Sequence, residues 1–458
     1  MLYMTVPTLQ RLDRWLGIPL CFALSVLRGL LRRSVPPASA PLRNLLFVKL
    51  AEQGSTVLAY PALQRAVALV GRENVYFIAL EGNRFILDVL GVIPEENVIT
   101  VSFGSFPSLL RSGLGAIVRL RRLKLDAAVD MEFFSRGSAA LSFLTGARRR
   151  VGFHAFYGAG PYRGNLMTHR LLYNPYLHTS QTFQTLVEAL RCEPSALPTC
   201  GLTPPLANLG PPLFEPRPDE LAAVRDLMRR ETGDEPRLIL LNPNASDLLP
   251  LRRWPTERYV ELAKRLLVKY PEALIGFTGA PIEAEATAEL VRQVGSRRCV
   301  SFAGKTTLRQ LLVLYTLADV LVTNDSGPAH FAVLTPIQVV TLFGPETPAL
   351  YAAVSPRNSA LWAGLACSPC VNAYNNRQSP CRNNLCLQAI TVEQVFAATC
   401  RAYQAKGVKR PLGGERRSPQ PRQRHFPGFP EAPLKARAGP QVAQDLGPSR
   451  PALVETVP

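Results

Sequence analysis

From Asn44 to about Val408 the chain alternates short aliphatic or β-branched runs with amphipathic helical stretches, and it does so twice. That alternation is the pattern of a parallel sheet flanked by helices. The first round runs from the strand Asn44 to Leu50 through a glycine-containing turn and a helix to about Val70. NVYFIAL and DAAVDM follow, and a helical segment near His178 to Arg191 closes it. A proline-rich stretch, Pro194 to Pro218, reads as an interdomain linker. The second round opens at Arg237 to Asn242 (RLILLN). Next comes a helix in which Tyr259, Leu262, Ala263, Leu266 and Leu267 recur at helical spacing, with Pro255 suited to its first turn. ALIGFTG, CVSF, DVLVTN and IQVVTLFG supply further strands. The expectation is an α/β protein of two Rossmann-like domains facing one another across a cleft, because open α/β sheets bind ligands outside the carboxyl ends of their strands.

The two ends differ from this middle. Trp15 to Leu31 is largely apolar but is interrupted by Pro19 and Arg28 and flanked by Arg11, Arg14, Arg32 and Arg33. It falls short of the roughly 20 clean apolar residues of a spanning helix, so an interfacial helix on a membrane surface is expected. A core-packing helix and a short anchor are the alternatives. Beyond about Val408, proline, glycine, arginine and glutamine dominate, the composition of a disordered basic tail. The expected division is 1–40 membrane-associating segment, 41–205 N-terminal Rossmann-like domain, 206–405 C-terminal Rossmann-like domain and 406–458 tail.

Lysine and arginine number 52 against 34 acidic residues, a net charge of +18 that lies partly in these ends; with no aromatic–basic platform in view, no nucleic acid partner is expected. Nine cysteines form no dense even-numbered framework, and the apolar N-terminal stretch has no small-residue cleavage site after it. Both point to a reducing, cytoplasmic setting. The GxGxxG, Walker A, HExxH and GxSxG patterns are absent, which removes the usual support for dinucleotide oxidoreductases, NTPases, zincins and serine hydrolases.

The strongest local signal is DVLVTNDSGPAHFAVL. A buried strand ends at Asn324, and Asp325, Ser326 and Gly327 turn into a short helix carrying His330, a geometry that aims backbone N–H groups at an anion. The plainer alternative is a capped helix with a packing histidine. In a second loop, LNPNASDLLPLRRWP, Asn244 and Ser246 stand with Arg252 and Arg253, a set suited to a diphosphate because guanidinium groups donate in a planar fork. In a third, TGAPIEAEA, Glu283 and Glu285 follow a strand end where a carboxylate can accept from sugar or ribose hydroxyls, although acidic residues also start helices for dipole reasons.

With these stretches, NLLFVKLAEQGSTVLAYPAL, VDMEFFSRGSAALSFLTGARRRVGF and above all NDSGPAH followed by LFGPETP, the chain resembles glycosyltransferase family 9, the ADP-heptose:lipopolysaccharide heptosyltransferases, from about Asn44 to Cys400. The resemblance implies a GT-B fold and an inverting, metal-independent transfer of a heptose or related sugar from a nucleotide diphosphate sugar to a lipid-linked glycan acceptor. It implies a peripheral enzyme on the cytoplasmic face of the bacterial inner membrane. By position, Asp325, Ser326, Gly327 and His330 would hold the nucleotide sugar, Ser246 and Arg252 the diphosphate, and Glu283 the nucleoside.

One departure concerns the base. Family heptosyltransferases carry an aspartate after the glycine of the first βα turn, whereas Gly54 is followed here by Ser55. Glu52 is the expected replacement, with Asp130 or Glu132 as further candidates. The loss of that aspartate also keeps open a catalytically silent nucleotide-sugar-binding scaffold. Cys367, Cys370, Cys381 and Cys386, a C-x2-C pair followed by a C-x4-C pair, match a structural zinc knuckle, set against free thiols or a redox-sensitive disulfide.

Overall fold

The computed structural model describes residues 6–31, 34–156, 160–194, 210–233, 237–245, 249–375 and 377–407. Most of the expected linker, the basic tail, Arg32, Arg33 and Ser246 lie outside these residues.

The first sheet comprises β1 (Leu45–Val48), β2 (Val75–Leu80), β3 (Val98–Val101), β4 (Ala127–Asp130), β5 (Arg149–Phe153) and β6 (His169–Leu171). Around it stand α1 (Val6–Trp15), α2 (Gly17–Leu31), α3 (Gln53–Leu58), α4 (Tyr60–Val70), α5 (Arg84–Leu90), α6 (Phe106–Arg122), α7 (Arg136–Leu144) and α8 (Thr179–Glu188). The second comprises β7 (Arg237–Asn242), β8 (Ala273–Phe277), β9 (Cys299–Ser301), β10 (Val320–Asn324), β11 (Gln338–Phe343) and β12 (Asn358–Trp362). Its helices are α9 (Pro218–Thr232), α10 (Thr256–Lys269), α11 (Ala284–Val294), α12 (Leu308–Leu317), α13 (Gly327–Ala332), α14 (Pro348–Tyr351), α15 (Leu385–Gln388) and α16 (Val392–Gly407).

The strand orders are β3-β2-β1-β4-β5-β6 and β12-β11-β10-β7-β8-β9, and every pairing is parallel. Each sheet therefore has the same doubly wound order, with its reversal between β1 and β4 in one and between β7 and β10 in the other. A crevice opens at such a reversal, so the loops after β1, β4, β7 and β10 are the ones topology sets aside for ligands. The two Rossmann-like domains expected from the alternating pattern, and the GT-B fold that the resemblance implies, are the ones observed. Tyr259, Leu262, Ala263, Leu266 and Leu267 of α10 are all buried, as their spacing requires, while Pro255 stands one residue ahead of the helix rather than inside its first turn.

The N-terminal segment, for which an interfacial helix is expected, packs against the first domain. It forms two helices docked on α7. Asp13 Oδ1 accepts from the backbone N–H groups of Arg136 (2.9 Å) and Gly137 (2.8 Å), so a side chain from α1 satisfies donors that α7 leaves open at its N-terminus. Cys21 of α2 is fully buried, and Ser25 Oγ accepts from Asn165 N at 2.7 Å. The outward side stays apolar, with Trp15, Phe22 and Leu30 exposed. Among the described residues no helix is long and apolar enough to cross a membrane.

Candidate active site

The loops at the two reversals meet. After β1 the chain turns through Lys49 and Glu52, and Glu52 adopts a left-handed conformation (φ 69°) just ahead of α3. Lys49 is fully buried and lies 3.7 Å from Glu52 and 3.5 Å from Glu132, just past the end of β4. Glu132 Oε1 also accepts from the backbone N–H groups of Leu50 (2.7 Å) and Ala51 (3.0 Å), which ties the β1 and β4 loops together.

From the other domain, Arg252 lies 2.7 Å from the buried Glu346 and 3.8 Å from Asp325. Asn324 locks these loops: its side-chain oxygen accepts from Trp254 N at 3.0 Å and its amide donates to Pro243 O at 2.9 Å. Arg377 joins the two halves, pairing with Glu52 across the cleft and lying 3.7 Å from Glu346. Glu52, Glu132, Arg252, Asp325, Ser326, Gly327, His330, Glu346 and Arg377 all line one cavity of about 1450 Å³.

Electrostatics sort these groups. Burial pushes the Asp325 carboxyl well above the usual carboxylate range and Arg252 draws it only part of the way back, with Glu346 beside it pushing up again. Burial would also raise Glu52, but Arg377, Lys49 and Arg252 outweigh it and hold the carboxyl at about 2. Burial lowers His330 to about 3, helped by His178 and Arg252, so its imidazole is neutral at physiological pH. Its Nδ1 is buried and has no hydrogen-bond partner among the described residues, an acceptor or donor left for a ligand.

A family model, glycosyltransferase family 9 (heptosyltransferase), matches residues 116–379, more than half of the chain. The chain belongs to glycosyltransferase family 9. Lipopolysaccharide heptosyltransferase 2 of Salmonella typhimurium is 34% identical over 102 residues, a stretch that spans 22% of this chain and 29% of the relative's length. Among solved structures, E. coli ADP-heptose lps heptosyltransferase II superposes with a TM-score of 0.58 at 19% identity, covering 80% of this chain and 100% of that one. A family 9 glycosyltransferase from Veillonella parvula gives 0.59 at 19%, covering 80% and 98%. At that identity the likeness speaks for the fold.

Within this family 9 chain, the other residues singled out in the sequence stand elsewhere. Asp130 is fully buried at the end of β4, pairs with Arg163 and accepts from Ser138 Oγ at 2.9 Å; it does not line the cavity. Glu283 accepts from Ala280 N at 2.6 Å at the start of a helical turn and is also not among the cavity's lining residues, although Gly279 brings it close to Asn244. The helix after Asp325 and Ser326 has only six residues, too short for a strong dipole, so the cationic charge comes from Arg252 and Arg377 instead. Among the described residues no group of three or more His, Cys, Asp or Glu is placed to hold a metal, and Cys367, Cys370, Cys381 and Cys386 are free thiols ranging from exposed to buried. Cys367 and Cys370 stand near enough to Cys386, at the start of α15, to act electrostatically on its thiol. Two cleft residues escaped sequence reasoning. Glu346 lies inside the LFGPETP motif, but nothing marked it as Arg252's partner; Arg377 sits in the aperiodic cysteine-bearing loop, where no local pattern flags it.

Proposed function

We propose that the protein is an inverting glycosyltransferase that moves a heptose or related sugar from an ADP-linked or similar nucleotide diphosphate donor to a lipid-linked glycan, lipopolysaccharide precursors included. The observation carrying this reading is the convergence of Arg252 and the Asp325–His330 turn from one domain with Glu52 from the other in a single cavity. Family membership supports the same sugar class, and the E. coli structural relative is itself an ADP-heptose lps heptosyltransferase.

In this reading the acceptor hydroxyl attacks the anomeric carbon from the side opposite the diphosphate. The new C–O bond forms as the bond to the diphosphate oxygen breaks, and the hydroxyl proton passes to Glu52. Arg252 and Arg377 face the charge that grows on the departing diphosphate, where fixed cations in a water-poor site are most effective. Neither requires a metal ion to act. Arg377 has a second consequence. While it pairs with Glu52 the carboxylate is a weak base; a diphosphate competes for the same guanidinium, and as Arg377 turns toward phosphate the basicity of Glu52 rises. His330 offers its unpartnered nitrogen to the donor from the opposite wall.

We place the enzyme on the cytoplasmic face of the bacterial inner membrane, held peripherally by the exposed apolar side of α2. A panel of nucleotide sugars read by thermal shift tests the donor: one class should stabilise selectively, by about 2.7 kcal/mol at a hundredfold excess over Kd. Stabilisation without transfer to any lipid-linked acceptor would favour the silent scaffold, and no response to any nucleotide sugar would sink both.

A further inference from the structure

The cleft is larger than a donor needs. Small-molecule sites run to about 300–1,000 Å³, whereas this cavity is about 1450 Å³ and its lining includes, besides Glu52, a largely apolar set from α6, α7 and α2, its apolar arm. One wall of the arm is α6. Its inward side, Ala116 and Leu120, packs on the sheet, but a second stripe lines the cavity instead: Phe106, Leu110, Leu114 and Ile117, at helical spacing. Phe106, Leu110 and Leu114 are 51%, 55% and 56% exposed, an uncovered apolar face of a kind soluble domains seldom leave without a use. Leu141 of α7 and Leu20 of α2 line the same arm. Arg11 and Arg14 of α1 line it too, exposed and with no ion pair or hydrogen bond of their side chains among the described residues.

We propose that this arm binds a hydrocarbon chain of the acceptor lipid, with a phosphate of the same molecule met by Arg11 and Arg14 and the saccharide end reaching Glu52. The stripe from Phe106 to Ile117 covers eleven residues of rise, about 16 Å at 1.5 Å each, close to the ~15 Å depth of one leaflet of a ~30 Å hydrocarbon core. Three features thus coincide in one continuous cavity: an apolar wall as long as an acyl chain, unpartnered cations at its side and the transfer site within the same cavity. A lipid-linked phosphosaccharide carries the three matching parts: hydrocarbon, phosphate and sugar. The first two helices complete the arm, so the N-terminal segment serves as part of the acceptor site as well as a surface contact. The inference rests on the glycosyltransferase reading for the identity of the lipid, while the groove itself is tested without catalysis.

The test titrates full-length protein with dansylated fatty acids of 8 to 14 carbons, below their micelle concentration, against the Leu110→Gln/Leu114→Gln double variant. Both leucines are exposed, so the variant folds, and an unchanged thermal midpoint with ADP checks the donor side separately. Wild type should bind one chain saturably, about fourfold tighter per added methylene until the arm is full, and the double variant should bind about tenfold more weakly or worse. Equal binding by the variant, no dependence on chain length, or association with anionic vesicles without monomer binding would each overturn the proposal, as would loss of the site through dimerisation. Failure of ADP to bind while the fatty acid still binds would count against the donor reading alone.

Discussion

Gly54 packs against His330 of the other domain over the cleft. It lies in α3, in ordinary helical backbone, so alanine there should favour the helix by about 1 kcal/mol on propensity alone. A Cβ built on it, however, would stand 2.7 Å from His330 Cδ2 and 3.3 Å from Cγ. Ordinary carbon contacts begin near 3.5 Å, so Gly54→Ala requires either the imidazole or the opposing domain to retreat by about 0.8 Å. His330 is 7% exposed, flanked by the buried Ala329 and Phe331, and has little room to swing. Overpacking of this kind costs about 1–3 kcal/mol, so the clash should outweigh the propensity gain and leave a net loss of up to about 2 kcal/mol. Function should suffer more than stability, because a displacement near 1 Å between reacting groups costs about a hundredfold. The assay is sugar transfer, with kcat and donor KM measured beside urea unfolding. His330→Ala supplies the control: with the ring gone the clash is gone, so the double variant should be no less stable than His330→Ala alone and up to about 1 kcal/mol more stable, the propensity gain now standing uncancelled. A Gly54→Ala enzyme with wild-type kcat and KM, or fully additive losses in the double variant, would refute the idea that this contact sets the cleft.

Arg377→Gln removes the main partner holding Glu52 at about 2. A depressed carboxyl stabilises the fold above its unfolded value and loses that contribution as pH falls from about 4.5 toward 2, so the variant should be less stable at pH 7 and less acid-sensitive over that window. Urea midpoints at pH 3 and pH 7 check this, and parallel pH dependence for wild type and variant would contradict it. Asp13→Ala should cost about 1–2 kcal/mol in thermal unfolding, because it uncaps α7 and leaves the buried Arg136 guanidinium without the carboxylate 3.3 Å away. A loss below about 0.3 kcal/mol would show that α1 is not anchored there.

The central strands were legible in the sequence because parallel strands buried on both sides must be continuously apolar. RLILLN is β7 to the residue, and DVLVTN and IQVVTLFG contain β10 and β11. The outer strands β6 and β12 were not: His169-Arg170-Leu171 and the largely exposed Asn358–Trp362 lack that run, since an edge strand has less to bury. The turns after β7 and β10, with Arg252 and Asp325 to His330, were also readable, because topology assigns ligand loops to those strand ends whatever their partners. What folding alone decided are the pairings between distant residues: Arg377 with Glu52, Arg252 with Glu346, Asp13 at the start of α7 and Gly54 against His330. Each joins segments that no local period connects. A charge or a glycine takes its meaning from what stands within a few ångströms, and for these residues the neighbour arrives from a distant part of the chain, brought there by the packing of one domain or, for Arg377 with Glu52 and Gly54 with His330, only when both sheets have formed and closed on one cleft.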